Sequence, residues 1–225
     1  MTIEEYITKN VEPYAKEDTK EDLKTFLRHP EIKEKFESAP GSTSKNYHHA
    51  YQGGLIVHCD QIFQIAKAFH SAIEPVANCS IGEILNVATL HDFNKVCDPT
   101  GRPKYTDNFL KSGSVSDAKP FKINSEYGTW NKAATDPMNL SDPRALEYFL
   151  ANAQLKPSGH ESLMTIQAFG PELFEKLNDS EKFAIIYHGG AYETSRFELA
   201  GKEDMLQIIT HAADMLSSRY DQVPW

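Results

Sequence analysis

The chain has 225 residues, 40% hydrophobic and 24% charged, with 12 glycines and 12 prolines; such a chain builds a globular core without help from disulfides or a structural metal. Its 23 basic and 32 acidic residues leave a net charge of −9, which excludes general coating of nucleic acid or of an anionic membrane through a positive field. Cys59, Cys79 and Cys97 are odd in number and lack CxxC spacing, so neither a disulfide framework nor a zinc ribbon is expected.

After Met1, the stretch Thr2-Ile3-Glu4-Glu5-Tyr6 has neither the basic nor the apolar run of a signal peptide. No apolar stretch approaches the ~18 residues of a membrane span, so a cytoplasmic protein without a membrane partner is expected. Residues 1–40 read as an N-terminal extension of two or three short amphipathic helices split by polar joints such as Lys16-Glu17-Asp18-Thr19, packing on the rest of the chain. The turn-rich Ala39-Pro40-Gly41-Ser42-Thr43-Ser44-Lys45-Asn46 leads through Tyr47-His48-His49-Ala50-Tyr51-Gln52-Gly53-Gly54 into a helix. Its apolar stripe runs through Leu55, Ile62, Ile65 and Phe69, and His58 falls on it. A capping box, Ser80-Ile81-Gly82-Glu83, opens a second helix whose apolar face of Ile81, Ile84 and Ala88 runs into His91 and Asp92. Both polar residues should therefore point toward the core.

Periodicity fails over residues 98–140, and a small β-ribbon is expected there, Lys104–Leu110 against Pro120–Ser125. Helical signals return at Ser141-Asp142-Pro143 and at Ser158-Gly159-His160-Glu161, where a capping box puts His160 in a first turn. A helix from about Ser180 should end at His188-Gly189-Gly190. The last helix, about Glu203 to Tyr220, should bury Met205, Ile209, Ala212 and Leu216 and carry His211 and Asp214 one turn apart. The fold class expected is an all-α bundle in a single domain, with the 98–140 insertion between its second and third core helices.

Six residues of metal-ligand type lie on or at the ends of helices with buried faces: His58, His91, Asp92, His160, His188 and Asp214. One histidine on an apolar face is more often a hydrogen-bonded core residue. A buried carboxylate beside imidazole, however, needs a cation or several donors to offset its desolvation. Spacing alone leaves a metal centre and a satisfied polar core both open.

The order His58, His91-Asp92, Asp214 resembles the HD-domain metal-dependent phosphohydrolases, in which a His, a His-Asp doublet and a distant Asp succeed one another on core helices. Tyr47-His48-His49-Ala50-Tyr51-Gln52-Gly53-Gly54-Leu55-Ile56-Val57-His58, with the preceding Ala39-Pro40-Gly41-Ser42-Thr43, is similar to the branch containing the YhaM-type 3′-to-5′ exoribonucleases. Dinuclear members carry two further histidines, which Gly159-His160 and Tyr187-His188-Gly189-Gly190 match. The resemblance implies an HD-type bundle with one or two divalent ions (Mn, Fe, Zn, Ni or Mg), two favoured. His58, His91 and Asp214 would serve one ion, His160 and His188 the other, and Asp92 would bridge them around the attacking hydroxide. There are departures: His91-Asp92-Phe93-Asn94-Lys95 has Asn94 where the family commonly has glycine, the stretch from Asp92 to His160 is long, and residues 1–40 read as helices where the exoribonuclease branch carries an OB-type domain.

Lys95, three residues after the doublet, is expected with Asp92 to be catalytic and to reach a phosphate oxygen. His48 and His49 are expected at the site mouth or on a leaving oxygen, with loop capping as the alternative. His211 is expected to orient Asp214. Arg102, Lys104, Lys111, Lys119 and Lys122 are candidates for a phosphate clamp, and His29 and His70 are expected to be structural or exposed. The function expected is hydrolysis of a phosphoester or phosphoanhydride of a small nucleotide. Alternatives are a 3′-to-5′ exonuclease or phosphodiesterase acting on short single-stranded RNA or DNA, and a nucleotide-binding HD module without turnover. The sequence leaves the oligomeric state open.

Overall fold

The computed structural model describes residues 1–128, 159–190 and 201–220. It is predominantly helical, with one two-stranded sheet among the described residues. No helix of the described residues is long and apolar enough to cross a membrane.

Thr2 caps α1 (Ile3–Tyr6) through a capping box with Glu5, and a π turn (Ile7–Val11) carries the chain into α2 (Glu12–Tyr14). After a polar joint come α3 (Lys20–Leu27) and α4 (Pro30–Ser38), the latter capped by the His29 ring, which accepts from the Glu31 amide. Ile3, Tyr6, Val11, Leu23, Phe26, Leu27, Ile32 and Phe36 belong to the same core cluster as the later helices. The N-terminal helices are thus a wall of the bundle. Lys9 and Asn10 fasten them to Asp60, at 2.7 and 2.9 Å.

The central element is α5 (Gly54–Ile73), which packs against α4, against α6 (Ile81–Leu90) and against the C-terminal α10 (Met205–Tyr220). The Ser80–Glu83 capping box forms as the sequence predicts, and α6 stops at Leu90. His91 caps it, and Asp92 (φ −107°, ψ 21°) turns the chain into a 3₁₀ turn, Phe93–Lys95. Helices α7 (Gly159–Phe169), α8 (Pro171–Lys176) and α9 (Asp179–Ile186) close the bundle, with α7 on the 3₁₀ turn and α9 against α6, α7 and α10. Gly159 is required where α7 meets α9, because a side chain there would drive into the Ile185 carbonyl.

Three elements differ from expectation. The ribbon is shorter: β1 (Tyr105–Asp107) pairs antiparallel with β2 (Phe121–Ile123), Thr106 opposite Lys122. Beyond Asn108 the chain folds on itself around Gly113 (φ +87°), so Phe109 bridges Val115 instead of extending the ladder. Helix α9 is capped by Asn178 and ends at Ile186, leaving His188 just past it. On α10 the buried stripe is Leu206, Ile209, Thr210, Ala213 and Ser217, while Met205, Ala212 and Leu216 are half-buried. The helix is rotated so that Ser217 faces α5. The helix expected from Ser141, and the Ser158 cap, lie outside the described residues.

Phe93 joins the 3₁₀ turn to the N-terminal wall, its ring centroid 4.8 Å from Phe26 and 5.0 Å from Phe36. Phe93→Ala should cost about 3–5 kcal/mol, the range for emptying an aromatic core site. Denaturant unfolding measures it, and a loss below about 1 kcal/mol would mean that the wall packs independently of the turn.

Candidate metal centre

Local geometry explains how the charged residues reach one place. His58 lies one turn into α5, on the stripe of Leu55 and Ile62, and is fully buried. His91 and Asp92 project from the end of α6 where the helix breaks. His188 comes just after α9, and Asp214 sits mid-way along α10. The closing helices thus bring their polar residues to the broken end of α6.

His58 Nε2 lies 3.2 Å from Asp214 Oδ1 and 3.7 Å from Asp92 Oδ2. His91 Nε2 is 3.2 Å from Asp92 Oδ2, and His188 Nε2 is 3.6 Å from Asp92 Oδ1. The ligand atoms of His58, His91 and Asp214 all fall within 4.8 Å of one another, as do those of His48, His49 and His58. These two groups share His58. Asp92 and Asp214, with His48, His188 and His211, line a cavity of about 410 Å³.

The ring tautomers test whether a cation fits. His91 Nδ1 contacts the Ala88 carbonyl at 3.0 Å and His188 Nδ1 the Ile185 carbonyl at 2.8 Å. A carbonyl only accepts, so both rings carry their proton on Nδ1 and, when neutral, present the Nε2 lone pair to the cluster. Nε2 of His58 and of His91 is buried without a hydrogen bond, although carboxylate oxygens approach to 3.2 Å. Lone pairs on nitrogen and oxygen therefore face each other in a buried space, which a proton or a metal ion relieves. Backbone carbonyls that hold Nδ1 are the usual outer support of ligating histidines. The residues present fit a divalent ion, and imidazole with carboxylate suits Mn, Fe, Zn or Ni.

Electrostatics point the same way. Burial opposes ionisation of Asp92, but the Lys95 ammonium and the His91 ring outweigh it and hold the carboxyl well below its usual range. Asp214 is likewise lowered, burial being outweighed by His58 and His91. Burial pushes His58 down to about 4 despite the Asp214 contact. For His91 the Asp92 charge overcomes burial and the pKa rises.

The remaining candidates divide. Lys95 Nζ lies 2.6 Å from Asp92 Oδ2, because a buried carboxylate draws the nearest ammonium. It borders both the main cavity and a neighbouring one of about 250 Å³ beside Tyr105 and Phe121. His48 lines the main cavity, and its ring lies 4.5 Å from that of His58, while His49 is buried behind it. His211 Nδ1 contacts the His188 carbonyl at 2.6 Å, so it steadies His188. His160 occupies the first turn of α7 but lies outside both converging ligand groups and does not border the main cavity. Of the five insertion cations Lys104 alone borders that cavity. His70 is structural, bonded to the Cys79 carbonyl at 2.9 Å. Asn94 has no left-handed backbone and is held by Ser162 and Tyr127.

Sequence reasoning missed Arg219, which joins Lys104 at the cavity, and Ser217 and Gln61, which support His58. The available signal was helical spacing: Ser217 lies three residues after Asp214, and Gln61 three after His58.

Because His58 is held neutral, its contribution to stability is complete above the ordinary value of 6.5 and is lost as pH falls toward about 4. His91 acts in the opposite sense, its contribution present below 6.5 and lost as pH rises through its folded value. Metal-free protein should therefore lose about 3 kcal/mol through His58 on acidification across that window. Thermal midpoints at stepped pH in the presence of chelator test this: His58→Asn should flatten the acid limb, and an unchanged slope would contradict the assignment.

No protein-family model, curated protein or solved structure matches this chain.

Proposed function

We propose that the cluster is the metal centre of an HD-type phosphohydrolase acting on a nucleotide phosphoester or phosphoanhydride. The observation that carries the reading is the placement of Asp92, whose Oδ2 faces His58 and His91 while its Oδ1 faces His188. A carboxylate with each oxygen turned to a different set of imidazole nitrogens suits a bridge, which favours two ions over one. His58, His91, Asp92 and Asp214 would hold one ion, and Asp92 with His188 part of a second; His160 is kept as a proposed ligand on the family resemblance alone. A divalent ion held there supplies charge neutralisation for phosphoryl oxygens and lowers the pKa of water.

The chain's own residues supply the rest. Lys95, Lys104 and Arg219 border the cavity and offer donors to phosphate oxygens within a chain of net charge −9. Buried carboxylates at the floor and cations around them suit an anionic substrate bound through metal. Phosphoryl transfer asks mainly for such positioning and neutralisation. One observation favours the alternative, a phosphodiesterase or 3′-to-5′ exonuclease: the second cavity across Lys95 gives room for a group on the other side of the scissile phosphate.

Two experiments test the reading. A metal-replete assay over mononucleotides, nucleoside triphosphates, cyclic nucleotides and 5′-labelled oligonucleotides should find hydrolysis that Asp92→Ala abolishes together with most bound metal. Hydrolysis of none of these, or full turnover in Asp92→Ala, would refute it. Lys95→Met should lower turnover roughly 10- to 1000-fold, the scale of one transition-state charge contact. The same variant should bind divalent ions at least as tightly as wild type, because the ammonium no longer occupies Asp92 Oδ2; weaker binding would make Lys95 a support of the site.

A further inference from the structure

One amide oxygen connects the metal cluster to the glycine-rich turn before α5. Gln61 Oε1 accepts from Ser217 Oγ at 3.0 Å and contacts His49 Nε2 at 3.1 Å. Ser217 Oγ also contacts His58 Nδ1 at 2.9 Å. These contacts fix the protons one after another. An amide oxygen only accepts, so His49 carries its proton on Nε2 and Ser217 aims its own at Gln61. Ser217 has no second proton, so His58 must donate from Nδ1, which leaves the His58 Nε2 lone pair facing Asp214 and His91. In the neutral ring His49 Nδ1 is then a lone pair, and His48 Nδ1, 3.1 Å away, donates to it. His48 then presents an Nε2 lone pair from a ring that borders the cavity.

The backbone around His49 is built for this placement. His49 is fully buried at φ +53°, the only left-handed residue other than glycine among those described. Gly41 and Gly54 enclose it: a Cβ on Gly41 would lie 2.6 Å from that of His49, and one on Gly54 would run into the His49 carbonyl. A strained residue of this kind costs on the order of 1–3 kcal/mol and persists only where its surroundings over-determine it.

We propose that Gln61 is a positioning residue which, through Ser217 and His49, fixes the tautomers of His58, His49 and His48 together, so that the metal-facing nitrogen of His58 and the cavity-facing nitrogen of His48 are set by one acceptor. The inference rests on the metal-centre reading for its effect on affinity, but the tautomer relay stands on hydrogen-bond geometry alone. It assigns work to three side chains, Gln61, Ser217 and His49, that do not line the main cavity.

Histidine ¹⁵N NMR of the metal-free protein, then Co²⁺ titration, tests it. Wild type should show Nδ1–H for His58 and Nε2–H for His49. Gln61→Met, similar in size but without an acceptor, should mix both tautomers and weaken Co²⁺ binding 10- to 100-fold, the usual loss for an outer partner of a ligand, and should lower the metal-free thermal midpoint, because it leaves buried donors on Ser217 and His49 without a partner. Gln61→Glu, which keeps acceptor oxygens, should retain the wild-type tautomers. Should Gln61→Met fold poorly, Ser217→Ala cuts the His58 arm alone and should mix only that ring. An Nε2–H His58 in wild type, or unaltered tautomers and affinity in Gln61→Met, would overturn the proposal. Wild-type protein with the expected tautomers but no Co²⁺ binding would support the relay and refute the metal centre.

Discussion

The constraint on which the site depends is the burial of the Asp92 carboxylate, 4% exposed, at the broken end of α6. An unpaired charge there would cost several kcal/mol. Around it stand Lys95 at 2.6 Å and the rings of His58, His91 and His188, carried in on α5, α6 and the end of α9. These groups offset its desolvation only together. The close of the bundle and the assembly of the site are therefore one event: α5, α6, α9 and α10 cannot pack in this order without placing their polar residues around that carboxylate.

Apolar packing alone would not choose this arrangement, because the inward face of α10 includes polar residues. Thr210 and Ser217 share the buried stripe with Leu206, Ile209 and Ala213. Thr210 satisfies its hydroxyl on the Leu206 carbonyl, but Ser217 directs its proton to Gln61 on α5. A buried polar network satisfied in one register specifies that register. The rotation of α10 that leaves Met205 and Leu216 half-buried is the one that delivers Asp214 to His58.

Net charge and local charge differ in the same way. The chain is acidic, yet Lys95, Lys104 and Arg219 gather at one cavity while its two carboxylates lie against imidazole. Lys104 comes from the insertion just before β1, and Arg219 from the last turn of α10. The short ribbon thus carries a cation from a segment without helical periodicity to the rim of a helical site. Buried Asp98 fixes the start of that segment, its carboxylate accepting from Thr100, Arg102 and the Gly128 amide.

The sequence by itself determined the helical class, the capping box at Ser80, the helical face bearing His58, the end of an apolar helix at His91-Asp92, and the presence of a ribbon, because each comes from local periodicity or from caps closed within one turn. The left-handed His49 between two glycines was foreshadowed only by the glycines themselves. The rotation of α10, the displacement of His188 beyond α9, the pairing of Lys95 with Asp92 and the sharing of Gln61 Oε1 between His49 and Ser217 were decided by tertiary structure. Each depends on which atoms of separate segments meet, and on where a buried donor or charge finds its partner; spacing within one helix carries no information about either.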